Sequence, residues 1–379
     1  MMRFWKRAAV LTAVGAFAIT GVTGCSGTLD SDAVVATVGG EDITLGVANF
    51  YARMQQGMYE TYYAGLMGTT AEDMWTQEYD GDSTYEQYTK EGLLETLENM
   101  YILSQHAADY DVSLTDDEKE SIESAASNFS NDNTEESKEV VTGYQKNIEK
   151  FLELATIQTK MESAMKEGVD EEVSDDEAAQ KSMDYVFFSY TTTDDSGNST
   201  ELTDDEKEAL KTTAQDLADQ VSGGEDFASA AENAGAEVQT ATFDADSTSP
   251  DADLIAAADA LENEGDVTAP VETDSGVYVA QLTSLLDREA TDAEKENIVE
   301  QRRQDQYDSL LEDWREDADI DVNERVWDKV DFIDQGITLI SSEDEESSAS
   351  DDTAETEQNE DASSEDGSGA ESGTEENAE

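Results

Sequence analysis

Residues 261–282 read LENEGDVTAPVETDSGVYVAQL, and this stretch decides the fold of the region around it. Apolar and β-branched residues are frequent over residues 267–273 and again over 277–282, as in short strands. The residues between the two runs are types that favour a tight turn, namely Asp274, Ser275 and Gly276. Two strand-like runs joined by such a turn predict a β-hairpin.

The sequence before this hairpin alternates between strand-like and helix-like segments. Aromatic and β-branched residues predict strands over residues 185–190 and 238–243. Apolar residues at helical spacing predict helices over 203–221, from Asp226 onward and over 253–261. This order of strands and helices predicts a compact α+β unit.

Helical patterns flank this unit on both sides. A strand, a turn and a second strand are predicted over residues 34–44, followed by helices up to residue 166 and a further helix over 291–318. Capping boxes, in which Ser or Thr precedes Glu by three residues, mark helix starts. Four such pairs are interpreted as helix starts: Thr115 with Glu118, Ser174 with Glu177, Thr203 with Glu206, and Thr291 with Glu294. The aromatic and Met residues over 59–75 indicate either helical core or a soft apolar surface that holds unfolded peptide.

Two blocks of residues in this region form a recognisable pattern. The first block is Gly224, Asp226, Phe227, Ala228 and Ala231. The second block is Leu261, Gly265, Val267, Pro270, Val271, Thr273, Asp274, Ser275, Gly276, Val279 and Leu282. Together they resemble the parvulin family of peptidyl-prolyl isomerases, with one extra residue between Leu261 and Gly265. The resemblance implies a four-stranded antiparallel sheet with helices and an apolar pocket for proline.

The larger arrangement is similar to extracytoplasmic foldase lipoproteins of the PrsA type. That resemblance implies an α+β fold, in which N- and C-terminal segments form a helical domain and a parvulin-like domain is inserted between them. The corresponding boundaries are residues 25–170 for the N-terminal helical part, 181–286 for the parvulin-like domain and 287–335 for the returning C-terminal part.

The chain departs from the parvulin pattern at the residues that line the pocket. The family's two histidine positions fall on Tyr185 and Tyr278, and Leu254 stands at the usual pocket phenylalanine. The chain's single histidine, His106, lies in the helical region. The resemblance therefore implies weak or absent isomerase activity, with no cofactor and no metal ion. Apolar side chains remain to bind extended peptide: Phe187, Phe243, Leu254 and Tyr278.

The first 25 residues have the pattern of a bacterial lipoprotein leader. Arg3, Lys6 and Arg7 precede an apolar segment over residues 8–20, and small residues lead to Cys25. We expect residues 1–24 to be a signal peptide and Cys25 to carry a lipid. The protein would then lie at the outer face of the cytoplasmic membrane. Because Cys25 is the only cysteine, no intramolecular disulfide is expected.

The charge of the chain excludes one class of partner. The sequence has 93 acidic and 21 basic residues, a net charge of −72, so nucleic acid is not expected to bind. Residues 341–379 contain sixteen acids, no base and almost no apolar residue. Such a segment cannot bury enough apolar surface to offset its chain entropy, which predicts a disordered acidic tail.

These observations predict a membrane-anchored foldase or chaperone that assists newly exported, unfolded polypeptides. A lipid-anchored solute-binding protein of a transporter is an alternative, although the helical region lacks the repeated β-α-β pattern of that class. A non-catalytic surface scaffold is a second alternative.

Overall fold

The computed structural model describes residues 17–23, 29–63, 66, 68–81, 83–193 and 197–341. The chain divides into two compact units: residues 1–164 with 311–379 form the first, and residues 165–310 form the second. Within the described ranges, every helix is too short or too polar to cross a bilayer. Cys25 and the predicted acidic tail beyond Ser341 lie outside the described residues.

The first unit starts with three strands. They are β1 Phe17–Thr23, β2 Val34–Val38 and β3 Glu41–Thr44. Strands β2 and β3 pair antiparallel, and Gly39 and Gly40 form the turn with φ of 56° and 85°. Glycine adopts positive φ without a steric penalty, which explains both residues at this turn. The predicted strand-turn-strand over residues 34–44 is confirmed.

Helices fill most of the N-terminal part that follows. They are α1 Leu45–Met58, α2 Ala71–Thr76, α3 Tyr85–His106, α4 Asp116–Asp132, α5 Glu135–Val141 and α6 Gln145–Met165. A small antiparallel pair, β4 Glu78–Asp80 and β5 Ser83–Thr84, lies between α2 and α3. Met74 and Trp75 are fully buried, so these members of the aromatic segment belong to the core.

The second unit contains most of the remaining strands. Its elements are β6 Lys181–Ser189, β7 Thr191–Thr193, β8 Ser199–Glu201, α7 Asp204–Ser222, α8 Phe227–Ala234, β9 Gln239–Phe243, α9 Ala252–Asp259, β10 Val271–Glu272 and β11 Gly276–Ser284. Strands β7 and β8 form a separate hairpin. The main sheet has the order β10-β11-β6-β9, and each neighbouring pair is antiparallel. The predicted hairpin over residues 267–282 is present as β10 and β11.

Alternation along the strands gives this sheet two buried faces. Val186 on β6 and Val279 on β11 pack with apolar residues of α7 and α8. Tyr185 and Tyr278 pack on the opposite face with residues of α9. Successive side chains of a strand point to opposite faces, so neighbouring positions enter different cores.

The C-terminal segment completes the first unit. Helix α10 Arg288–Asp317 belongs to the second unit up to residue 310 and to the first from residue 311. It is followed by β12 Ile320–Val322, α11 Glu324–Trp327 and β13 Gly336–Ser341. Strand β12 pairs with β2 in a three-stranded sheet, and β13 pairs antiparallel with β1. N- and C-terminal segments thus form one largely helical unit, and the segment with the four-stranded antiparallel sheet is inserted between them in the sequence. The predicted α+β fold class is confirmed.

Two of the four predicted capping boxes are present and two are not. Thr115 with Glu118 caps α4, and Thr203 with Glu206 caps α7. The prediction at Ser174 is wrong, because only a turn follows it. The prediction at Thr291 is also wrong, because Thr291 lies inside α10, where its buried hydroxyl accepts a hydrogen bond from the Gln180 N–H.

Candidate peptide-binding site

The candidate site lies on the α9 face of the main sheet in the second unit. On β6, Tyr185 and Phe187 are two residues apart and therefore project to the same face. On β11, Tyr278 stands directly opposite Phe187 in the strand register. Sheet pairing therefore brings together three aromatic residues that are distant in sequence.

The rings of these residues form a continuous aromatic surface. The ring centroids of Phe187 and Tyr278 are 4.4 Å apart at an interplanar angle of 28°, a stacked arrangement. The centroids of Tyr185 and Tyr278 are 6.1 Å apart at 50°. Both distances are in the range at which aromatic pairs stabilise one another.

The floor of this surface is filled by the chain's own side chains. Phe243, the last residue of β9, and Leu254 on α9 are fully buried. Tyr278 is also nearly buried, whereas Phe187 is only partly buried. Of the four residues predicted to bind peptide, Phe187 is therefore the most accessible, and a ligand reaches Phe243 or Leu254 only if the core moves.

The two tyrosine hydroxyls have different surroundings. Tyr185 donates a hydrogen bond of 2.7 Å to Gln239 Oε1. The Tyr278 hydroxyl has no hydrogen-bond partner among the residues that the structure describes. Burial raises the pKa of Tyr278, and the nearby Asp251 and Tyr185 raise it further. Tyr278 is thus a neutral phenol with an unused O–H donor at the edge of an apolar surface.

Sequence reasoning missed two residues of this site. Gln239 stands opposite Tyr185 in the β6–β9 register and accepts its hydroxyl hydrogen. Asp251 caps α9 by accepting hydrogen bonds from the Asp253 and Leu254 N–H groups, and its charge acts on Tyr278. Their roles depend on strand register and on helix docking, for which the local sequence carries no signal.

His106 lies outside this site, at the end of α3 in the first unit. Its ring stacks on Trp314 with centroids 4.1 Å apart, and Nδ1 is 3.1 Å from Asp109 Oδ2. These contacts are structural, so the chain's single histidine contributes nothing to the aromatic surface.

Comparison with known proteins identifies the domain that carries the site. Residues 193–284 match the family described as the PPIC-type PPIASE (rotamase) domain, a range that includes Tyr278 and begins after Tyr185. No curated protein sequence matches the chain.

The solved structures that match this chain have low sequence identity to it. A structure reported for the SurA-like chaperones PEB4 and Cj1289 of Campylobacter jejuni has 10% identity, covers 77% of this chain and 99% of its own, and gives a TM-score of 0.27. Foldase protein PrsA from Streptococcus pneumoniae has 19% identity, with 68% and 98% coverage and a TM-score of 0.28. PrsA from Bacillus subtilis has 15% identity, with 79% and 98% coverage and a TM-score of 0.20. The family match thus identifies a parvulin domain of the PPIC type over residues 193–284, within the second unit and its four-stranded antiparallel sheet.

Proposed function

We propose that this protein is an extracytoplasmic foldase that binds newly exported, unfolded polypeptides and assists their folding. In this proposal residues 1–24, which include β1, are removed, and a lipid on Cys25 holds the chain at the outer face of the cytoplasmic membrane. Residues 25–170 and 287–335 form the chaperone-like part, residues 181–286 form the parvulin-like part, and residues 341–379 form an acidic spacer. The observation that carries the proposal is the stacking of Phe187 on Tyr278, because Tyr278 lies within residues 193–284, which match a PPIC-type domain.

The same surface supports weak isomerase activity. Rotation about a prolyl bond crosses a barrier of about 18–20 kcal/mol and needs no covalent intermediate. A site accelerates it by binding the twisted amide more tightly than either planar form. The unused Tyr278 hydroxyl is a donor for a substrate carbonyl, but Phe243 and Leu254 occupy the space beneath it. A shallow surface with one neutral donor stabilises the twisted amide less than a deep pocket with several donors.

Binding of an extended peptide requires less of this site than catalysis of prolyl isomerisation does. An unfolded segment needs exposed apolar area and backbone partners, and it does not need a preformed proline pocket. Phe187 and Tyr278 provide the apolar contact. We therefore place holding of unfolded chains before catalysis in the proposed function.

A protease-coupled prolyl isomerase assay tests the catalytic part. Tyr278→Phe removes only the free hydroxyl, and we expect it to lower kcat/KM while leaving the fold intact. Tyr88→Phe is the matched control, because Tyr88 is an exposed tyrosine in the first unit. Equal activity of both variants and the wild type would show that Tyr278 has no catalytic role.

Suppression of aggregation of an unrelated unfolded protein tests the holding part. We expect the full chain to suppress aggregation even if prolyl turnover is absent. A chain that neither accelerates prolyl isomerisation nor suppresses aggregation would refute the proposed function.

Mass spectrometry of protein extracted from membranes tests the anchor. We expect a diacylglyceryl group on Cys25 and loss of residues 1–24, with Cys25→Ala released from the membrane. An unmodified Cys25 in membrane-bound protein would refute the anchor without affecting the foldase proposal.

A further inference from the structure

Strand β12 in the first unit has a free outer edge. The Gly39 N–H donates to the Asp319 carbonyl at 3.0 Å, and the Asn323 N–H donates to the Val35 carbonyl at 2.7 Å. In an antiparallel pair, hydrogen-bonded and non-hydrogen-bonded positions alternate. Residues 319, 321 and 323 therefore face β2, while Ile320 and Val322 direct their N–H and C=O groups away from it. Within the described residues, no hydrogen bond uses these outward groups.

The side chains of β12 extend a buried face of the sheet. Ile320 stands opposite Val38, and Val322 stands opposite Ala36. Directly opposite residues project to the same face, and Val38 and Ala36 are fully buried in the core. Val322, at the edge of this face, is 39% exposed. A further strand beside β12 would continue the same apolar face.

A cavity of about 640 Å³ lies beside this edge. Ile320 and Val322 line it from the strand, Lys90 and Leu94 line it from α3, and Trp327 lines it from α11. The cavity belongs wholly to the first unit. The space into which the side chains of an added strand would point is thus already present.

Two donors at this cavity are unused. The Lys90 side chain is among the buried polar groups, with 9% exposure, and has no hydrogen bond or ion pair with any residue that the structure describes. Its Nζ lies 5.8 Å from the centroid of the Trp327 ring. The Trp327 Nε1 is buried and also lacks a hydrogen-bond partner in the described part of the chain. A buried donor without a partner is costly, so the Trp327 N–H indicates an acceptor group that is supplied by a ligand, while Lys90, whose charge is attracted by Glu86 and Asp328, lines the cavity with a donor that a ligand can reach.

We propose that the outer edge of β12 binds an extended segment of an unfolded polypeptide, which adds antiparallel as a fourth strand to the β12-β2-β3 sheet. Its N–H and C=O groups pair with those of Ile320 and Val322, and its apolar side chains enter the cavity. Lys90 donates to a carbonyl of the bound segment. This site deepens the proposed holding function and rests on it.

The charge of the cavity wall selects among such segments. Acidic residues outnumber basic ones there, with Glu91, Glu95, Glu98, Glu324 and Asp328 against Lys90 and Arg315. The whole chain carries a net charge of −72. The residues between the apolar ones of the segment project to the other face of the sheet, where Asp321 lies directly opposite, so segments with basic residues at those positions are bound in preference to acidic ones.

The strand register allows a direct test with the full wild-type chain. The probe is a fluorescein-labelled peptide of alternating valine and lysine, whose binding is followed by fluorescence anisotropy. In antiparallel addition, the peptide residues opposite Ile320 and Val322 point their side chains into the cavity and their N–H groups toward β12. N-methylation of the valines should therefore weaken binding about tenfold or more, as expected for loss of two hydrogen bonds. N-methylation of the lysines should leave binding unchanged.

Variants of the protein provide a second test. Val322→Pro removes an outward N–H without removing a bond to β2, and we expect about tenfold weaker binding. Lys90→Met should also weaken binding. Lys119→Met is the matched control with unchanged binding, because it makes the same change of charge as Lys90→Met at an exposed position on α4 that does not line the cavity. Circular dichroism checks that each variant is folded.

The outcomes separate this site from the foldase proposal. The absence of peptide binding, equal effects of the two methylated peptides, or a larger effect of lysine methylation would each overturn the β12 site, even if aggregation is suppressed. Selective loss with methylated valine supports the site, and a failure to suppress aggregation would then refute only the proposed function.

Discussion

Substitution of Arg53 by methionine should destabilise the first unit strongly, because Arg53 ties the C-terminal segment to α1. Its guanidinium is 1% exposed and donates to Asn49 Oδ1 and Gln56 Oε1 on its own helix. It also donates to the Asp331 carbonyl at 2.9 Å, the Gln335 carbonyl at 3.1 Å and Gln335 Oε1 at 3.0 Å. Burial lowers the pKa of Arg53 to about 10, so the side chain remains charged at neutral pH.

The size of the effect follows from these partners. Arg53→Met leaves acceptors on α1 and on the C-terminal segment without their donor in a buried position. Breaking a buried, hydrogen-bonded charge network in this way costs about 3–5 kcal/mol. With a urea m value of about 2 kcal/mol per molar, the unfolding midpoint should fall by about 2 M.

Tryptophan fluorescence during urea unfolding measures this unit selectively. The described tryptophans, Trp75, Trp314 and Trp327, all belong to the first unit. The matched control is Arg325→Met, which makes the same change of charge at an exposed position. If both variants shift the midpoint equally, the Arg53 network does not hold the C-terminal segment and the reasoning is refuted.

Four further predictions concern single residues. Burial raises the pKa of the Glu60 carboxyl above its ordinary 4.5. The contribution of Glu60 to the free energy of unfolding is therefore present below pH 4.5 and is lost as the pH rises through the raised pKa. Glu60→Gln should remove this contribution from the pH dependence of the urea midpoint. Gly276→Ala should destabilise the second unit by about 1–3 kcal/mol in calorimetry, since its Cβ would lie 2.3 Å from the Phe188 carbonyl oxygen. Gly92→Ala, which meets no atom within 4 Å in α3, should instead raise the stability of the first unit by about 1 kcal/mol, measured by tryptophan fluorescence. Thr115→Ala should destabilise the first unit by about 1 kcal/mol in the same assay, because the α4 cap is lost. For each of these four variants, no change or a change of opposite sign would contradict the expectation.

Local patterns predicted the elements whose stabilising contacts are themselves local. The Thr115 and Thr203 caps were predictable because a side chain and the backbone three residues later meet whenever a helix starts there. The capping-box prediction at Thr291 was wrong because Thr291 lies inside the longer helix α10. Its hydroxyl accepts a hydrogen bond from the Gln180 N–H, more than one hundred residues away. A capping box cannot be distinguished by sequence from the same residues in a helix interior.

The candidate site was predictable in part for the same reason. The sequence identified Phe187 and Tyr278 as apolar residues of predicted strands, and the strand register places them directly opposite each other. The burial of Phe243 and Leu254 depends on how β9 and α9 dock against that face, which alternation alone does not specify. The assignment of all four residues to peptide binding remains a prediction.

The sequence by itself determined the strand and turn pattern, the helical periodicity, the parvulin-like blocks and the strongly acidic charge, because these depend on residue type and short spacing. Only the tertiary structure decided which strand edges lack a neighbouring strand and which pockets are filled by the protein's own side chains. Pairing of β12 with β2 and burial of Arg53 against the C-terminal segment join residues about 280 positions apart. Such contacts are selected by the joint burial of distant apolar surfaces and by the pairing of backbone groups, and neither is encoded in a local window of the chain.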